Sequence, residues 1–102
     1  MRGVIMVLKN VLKPQNVLRK VTFKFYAPLS LGVQVAGTFN KWNPAKGALR
    51  KDAQGNWSGT FELKPGRYEY RFVVDGNWEN DQTNFEIVPN GLGTFNNVLN
   101  VS

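Results

Sequence analysis

The 102 residues contain no cysteine and no histidine. Without cysteine there is no disulfide and no thiolate metal site, and the redox compartment is left open. Without histidine the commonest general base and metal ligand are missing, together with every Ser-His or Cys-His nucleophile arrangement. No apolar run approaches the ~20 residues of a membrane-spanning helix. Val4 to Leu8 is apolar, but Lys9 cuts the run short and no small-residue cleavage site follows. These absences lead to the expectation of a cytoplasmic protein with no membrane partner. Asn56-Trp57-Ser58 and Asn100-Val101-Ser102 fit the glycosylation triplet, but without an export signal they read as chance.

Acidic residues are also missing from the first 24 positions, which hold Arg2, Lys9, Lys13, Arg19, Lys20 and Lys24. Beyond them seven bases are matched by seven acids, so the net charge of +6 belongs entirely to the start of the chain. A nucleic-acid surface needs its bases on the folded body, interleaved with stacking groups. A formally neutral body with aromatics in loops suits an uncharged ligand, and nucleic acid is not expected as a partner.

What remains is enough for one domain with a real core. Residues 1–18 form a basic arm with apolar positions 4, 5, 8, 11 and 12, a helix-like spacing that Pro14 interrupts. A short amphipathic helix and an added strand both remain open there. From Arg19 the pattern changes to short strands at roughly 8–12-residue spacing. Val21, Phe23 and Phe25 alternate with polar neighbours until Pro28. Gly32 to Ala36 reads as a second strand, followed by a polar loop from Gly37 to Gly47. Ala48 to Lys51 and Trp57 to Leu63 form a hairpin. Lys64-Pro65-Gly66 is a turn. Arg67 to Val74 alternates, with Tyr68, Tyr70 and Phe72 on one side and Glu69, Arg71 and Val73 on the other. Asp75-Gly76 signals a tight hairpin, and Phe85 to Val88 and Asn97 to Val101 complete about eight strands. The expected fold is all-β, an immunoglobulin-like antiparallel β-sandwich over residues 19–102.

Two of the three tryptophans, Trp42 and Trp78, fall in predicted polar loops; Trp57, at a strand start, reads as packing. An indole can stack on the aliphatic face of a pyranose while nearby amides and charges meet its hydroxyls. Asn40, Asn77, Arg71, Thr94 and Asn96 offer such a polar edge. An indole can equally fold back to cover the end of a sandwich, and composition alone leaves both readings open. Asp75, Glu79 and Asp81 flank Trp78 and invite a glycosidase reading. Asp75 already has a turn role before Gly76, and an open sandwich lacks walls to raise a carboxyl pKa. Their spacing matches no calcium loop either. No metal or other cofactor is expected.

The ordered motifs VQVAGTFNKW (33–42), GRYEYRFVVDGNW (66–78) and LGTFNNVLNV (92–101) resemble the glycogen-binding modules of AMP-activated protein kinase β subunits. They also resemble the wider family 48 of carbohydrate-binding modules found beside glucan-branching and debranching enzymes. The resemblance implies a non-catalytic module for α-1,4-linked glucan: glycogen, starch, a maltooligosaccharide or a cyclodextrin. It implies that Trp42 and Trp78 stack on glucose rings, and that Arg71 takes the place of the family's usual lysine. Leu92 would pack against the turn of a helical glucan, with Thr94 and Asn96 as polar contacts. Arginine keeps the donor role, with more N–H groups in a fixed plane. The family's Asp-Pro after the second tryptophan is Asp81-Gln82 here. The resemblance does not extend to the basic arm, and an alternative stands beside it: a sandwich that docks a kinase or a glucan-processing enzyme through residues 1–18.

Overall fold

The computed structural model describes residues 17–102, and among them eight strands build a β-sandwich. They are β1 (Arg19–Tyr26), β2 (Val33–Gly37), β3 (Arg50–Lys51), β4 (Asn56–Leu63), β5 (Gly66–Val74), β6 (Asn77–Glu79), β7 (Ile87–Pro89) and β8 (Phe95–Val101). One sheet has the order β1-β4-β3 and the other β2-β5-β8-β7, with β6 also paired to β5. All pairings are antiparallel. Of the expected basic arm, residues 1–16 lie outside the described residues.

Alternation fixes which residues meet between the sheets. Phe23 of β1 packs edge-on to Tyr70 of β5 with ring centroids 5.0 Å apart, and stacks on Phe39 at 5.3 Å. Val33, Val35, Phe72 and Val74 complete the centre of the core. Burying each such side chain stabilises the fold by about 1.5–3 kcal/mol. Trp57 belongs to this core, and its Nε1 donates to the Ala27 carbonyl at 2.8 Å.

One side of the sandwich is closed by backbone bonds between the sheets. Val35 N donates to Gly47 O at 2.8 Å, and Leu49 N donates to Val33 O at 3.0 Å. This closure shortens the strand expected over Ala48–Lys51. Ala48 bridges to Gln34 of the other sheet, leaving only Arg50 and Lys51 to pair with β4. The polar stretch 37–47 is more ordered than a plain loop, with two single-turn 3-10 helices at Thr38–Asn40 and Pro44–Lys46.

Further boundaries differ from the sequence reading, among them that of β8, which starts at Phe95 and not at Asn97. Trp78 lies on β6, paired with Val73, because Asp75 (φ 49°) and Gly76 (φ 84°) close the tight turn that sends the chain straight back. The strand expected at Phe85–Val88 instead runs Ile87–Pro89. Asn84 donates its Nδ2 to Val98 O at 2.8 Å and takes a ladder position with its side chain, which leaves Phe85 pointing into solvent.

Candidate functional site

Strand β5 changes partner along one edge. Gly66–Tyr70 pair with β8, and Phe72–Val74 pair with β6. Arg71 stands at the handover, on the outer face with Glu69 and Val73, opposite the face that carries Tyr70 and Phe72 into the core. Here Arg71, Glu69, Trp42, Trp78, Thr38, Asn90, Leu92 and Asn96 line an open cleft of about 620 Å3. Of the six residues expected from sequence, Trp42, Arg71, Trp78, Leu92 and Asn96 meet in this cleft, while Thr94 sits beside it and touches Arg71.

Trp42 is placed by strained backbone. Lys41 and Trp42 both adopt left-handed conformations, φ 56° and 58°, which non-glycine residues seldom take. Asn40 holds this turn: its Oδ1 accepts from Gly37 N at 2.9 Å and its Nδ2 donates to Val35 O at 3.1 Å. Trp42 N donates to Gly37 O at 2.9 Å. A Cβ on Gly37 would collide with the Glu69 carbonyl oxygen, so the close approach of this turn to β5 requires glycine. Asn40, one of the polar-edge candidates, therefore spends its amide inside the turn, and Asn77 does not line the cleft.

The indoles of Trp42 and Trp78 lie 6.4 Å apart between ring centroids with their planes inclined at 46°. Trp78 is 43% exposed and Leu92 is 85% exposed, which is costly apolar surface to leave in water. Between them Arg71 is held loosely. It donates to Thr94 Oγ1 at 3.5 Å and to the Trp78 carbonyl at 3.3 Å, and its Nε is buried without a partner. Most of its donor capacity is unused within the protein.

Glu69 and Asn90 were not among the expected site residues. Strand alternation had placed Glu69 beside Arg71, so that signal was present in the sequence. The Glu69 carboxylate accepts from Asn96 Nδ2 at 3.0 Å and from Arg67 at 2.9 Å. The bond from Asn96, then that from Arg67, holds its pKa below the ordinary glutamate range. A carboxylate kept ionised accepts hydrogen bonds and is a poor proton donor at neutral pH.

Two of the acids around Trp78, Asp75 and Asp81, are tied into the fold by their side chains. Asp75 Oδ1 accepts from Leu31 N and Gly32 N at 2.9 and 3.0 Å. Asp81 Oδ2 accepts from the Tyr70 hydroxyl at 2.6 Å, and its Oδ1 accepts from Thr83 N and Thr83 Oγ1. Burial, reinforced by Asp81, pushes the Tyr70 phenol far above the ordinary tyrosine range. The Asp81–Asn84 turn is closed by these side-chain bonds together with Asn84 N donating to Asp81 O at 3.4 Å. Beneath it Asn97, fully buried, accepts from Asn80 Nδ2 and Asp81 N and donates to the carbonyls of Asp81 and Asn84. No group of three or more metal-ligating side chains occurs among the described residues. Nor is any helix among them long and apolar enough to cross a membrane.

Known proteins share this pattern. Residues 21–102 match the family described as the glycogen recognition site of AMP-activated protein kinase. The chain is 38% identical over 69 residues to 5'-AMP-activated protein kinase subunit beta-1 of Rattus norvegicus, covering 68% of this chain and 24% of that protein. It is 36% identical over 90 residues to Protein FLOURY ENDOSPERM 6, chloroplastic, of Oryza sativa subsp. japonica, covering 88% of this chain and 16% of that protein. The mouse subunit beta-2 is 30% identical over 69 residues, 68% of this chain and 24% of its own length. The chain thus spans about a quarter or less of the length of these relatives. With its sandwich and its ordered motifs, the chain belongs to the glycogen recognition family of AMP-activated protein kinase, a family of non-catalytic carbohydrate-binding modules.

Proposed function

We propose that the cleft binds an α-1,4-linked glucan such as glycogen, starch, a maltooligosaccharide or a cyclodextrin, and that it does so within residues 19–102. The observation that carries this reading is the tilted indole pair, 46° apart at 6.4 Å. Coplanar rings would suit the flat ribbon of a β-linked glucan. Inclined rings suit successive glucoses of a chain that curves, and Leu92 stands on the same cleft to meet the apolar inside of the curve. Trp42 and Trp78 stack on the sugar faces, the free donors of Arg71 meet hydroxyls, and Thr94, Asn96 and ionised Glu69 supply the remaining polar edge. Each stacked indole contributes about 1–3 kcal/mol. After the cost of immobilisation this gives a Kd of roughly millimolar to micromolar.

The test is co-sedimentation with glycogen. The parent protein pellets with the polymer, while Trp42→Ala and Trp78→Ala stay in the supernatant with unchanged circular dichroism. Equal pelleting of both variants would show the site to lie elsewhere.

The same reading makes this chain a binder and not an enzyme. Asp75 and Asp81 are committed to backbone and tyrosine bonds and Glu69 is held ionised, which leaves Glu79 beside Trp78 without a second free carboxyl to pair with as acid and base. A reducing-end assay on maltooligosaccharides should show no turnover. Turnover abolished by Asp81→Asn or Glu79→Gln would overturn this. The glucan that the chain binds is a cytoplasmic one.

A second reading, docking to a kinase or glucan-processing enzyme, is favoured by one surface. Leu29 and Leu31 are each 94% exposed on a loop pinned by Asp75, and neither lines the cleft. Removal of residues 1–18 tests the arm's part in such docking, with glucan binding retained.

A further inference from the structure

We infer that Asn90 is the positioning residue of the cleft, the group that sets where Leu92 stands relative to the two indoles. This rests on the glucan-binding reading of the site. The segment between β7 and β8 is Asn90-Gly91-Leu92-Gly93-Thr94, with Gly91 and Gly93 at φ 81° and 82°. Neither glycine would have a neighbour within 4 Å of an added Cβ, so no packing holds the two glycines in place. Alone, it would sample many conformations, and Leu92 would have no fixed place.

Asn90 removes that freedom with every polar group it has except its own carbonyl. Its Oδ1 accepts from Leu92 N at 3.0 Å, which fixes the turn immediately before the leucine side chain. Its backbone N donates to Thr94 O at 3.1 Å, closing the base of the loop. Its Nδ2 donates both to Thr94 Oγ1 at 2.7 Å and to Asn96 Oδ1 at 3.2 Å. Through Asn96 the loop is joined to Glu69 on the cleft floor, and through Thr94 to Arg71. One side chain therefore links the apolar wall to the polar floor. An ordered apolar wall binds without the entropy cost of fixing it at the moment of association.

Substitutions separate the two halves of this role. Asn90→Ala loses all three side-chain bonds. Asn90→Asp keeps an acceptor for Leu92 N but loses both donors and places a carboxylate against Asn96 Oδ1. In the full chain, amide hydrogen exchange at Leu92 should speed up about tenfold or more in Asn90→Ala and stay near the parent rate in Asn90→Asp. Maltoheptaose affinity should fall about fivefold to tenfold in Asn90→Ala, with the melting temperature close to that of the parent.

A double-mutant cycle then distinguishes positioning from direct contact or general stability. If Asn90 acts by placing Leu92, Asn90→Ala costs little further affinity in a Leu92→Ala background. Fully additive losses, or Leu92 exchange unchanged by Asn90→Ala, would overturn the inference. Absence of maltoheptaose binding by the parent protein would instead overturn the glucan reading, and the exchange measurement would still decide the role of Asn90 in the loop.

Discussion

The two faces of β5 are made by the same nine residues and do opposite work. Inward, Tyr70, Phe72 and Val74 are buried against Phe23, Val33 and Val35. Outward, Glu69 and Arg71 stand in an open cleft beside half-exposed Trp78. The inner face is closed by packing and tolerates no missing volume. The outer face leaves donors, a carboxylate and indole surface without protein partners sufficient to saturate them. Stability and recognition are thus separated by the two-residue period of a strand, and changes on one face should register little on the other.

The largest effect is expected on the inner face. Phe72 is fully buried, so Phe72→Ala should cost about 3–5 kcal/mol of stability, read as a lower denaturation midpoint. Next comes Asn97→Ala, which leaves the Asp81 N–H and the Asn84 carbonyl without their partner in a part-buried site and removes one of two donors to the Asp81 carbonyl. A loss on the order of 3 kcal/mol follows from leaving such groups unpaired. Because this turn also borders β6, the variant should blur the separation and weaken glucan binding as well.

On the outer face, Trp78→Ala should leave the melting temperature nearly unchanged while removing about 1–3 kcal/mol of glucan binding, measured by calorimetric titration with maltoheptaose. Arg71→Ala should cost about 1.5 kcal/mol of binding, the lower end of the scale for a hydrogen bond to a charged donor.

The smallest effect concerns pH. Folding lowers the Glu69 pKa, so its bonds to Asn96 and Arg67 contribute fully above the ordinary glutamate value of 4.5 and are lost as pH falls through the lower folded value. Glucan affinity should be flat from neutral pH to about 5 and weaken only below 4.5, with circular dichroism showing the fold intact. In Glu69→Gln that acid limb should flatten.

Much of this division was legible from residues alone. The alternation Tyr68, Tyr70, Phe72 against Glu69, Arg71, Val73 sorted the two faces of β5 before any contact was known, because a strand's period is local. The Asp75-Gly76 turn was legible for the same reason. Long-range pairings were not. Ala48 looked like the start of a strand, yet it bridges to Gln34 across the sandwich. Trp78 looked like a loop residue, yet Val73 takes it into a ladder. Asn40, Asn90 and Asn97 share one residue type, and only the fold shows that they hold the Trp42 turn, the Leu92 loop and the Asp81 turn respectively. Thr38 carried no sequence signal, since it reaches the cleft only because its 3-10 turn lies against β5, where its hydroxyl accepts from Glu69 N.

If Trp42 and Trp78 together grip a curved α-glucan, their emission should report it when maltoheptaose is titrated in. Trp57, buried and bonded to Ala27, supplies a constant background. The parent protein should give a saturable change in emission with a midpoint between micromolar and millimolar sugar, reduced in Trp42→Ala and in Trp78→Ala. Emission that stays flat to several millimolar maltoheptaose would show that the indole pair does not bind the glucan.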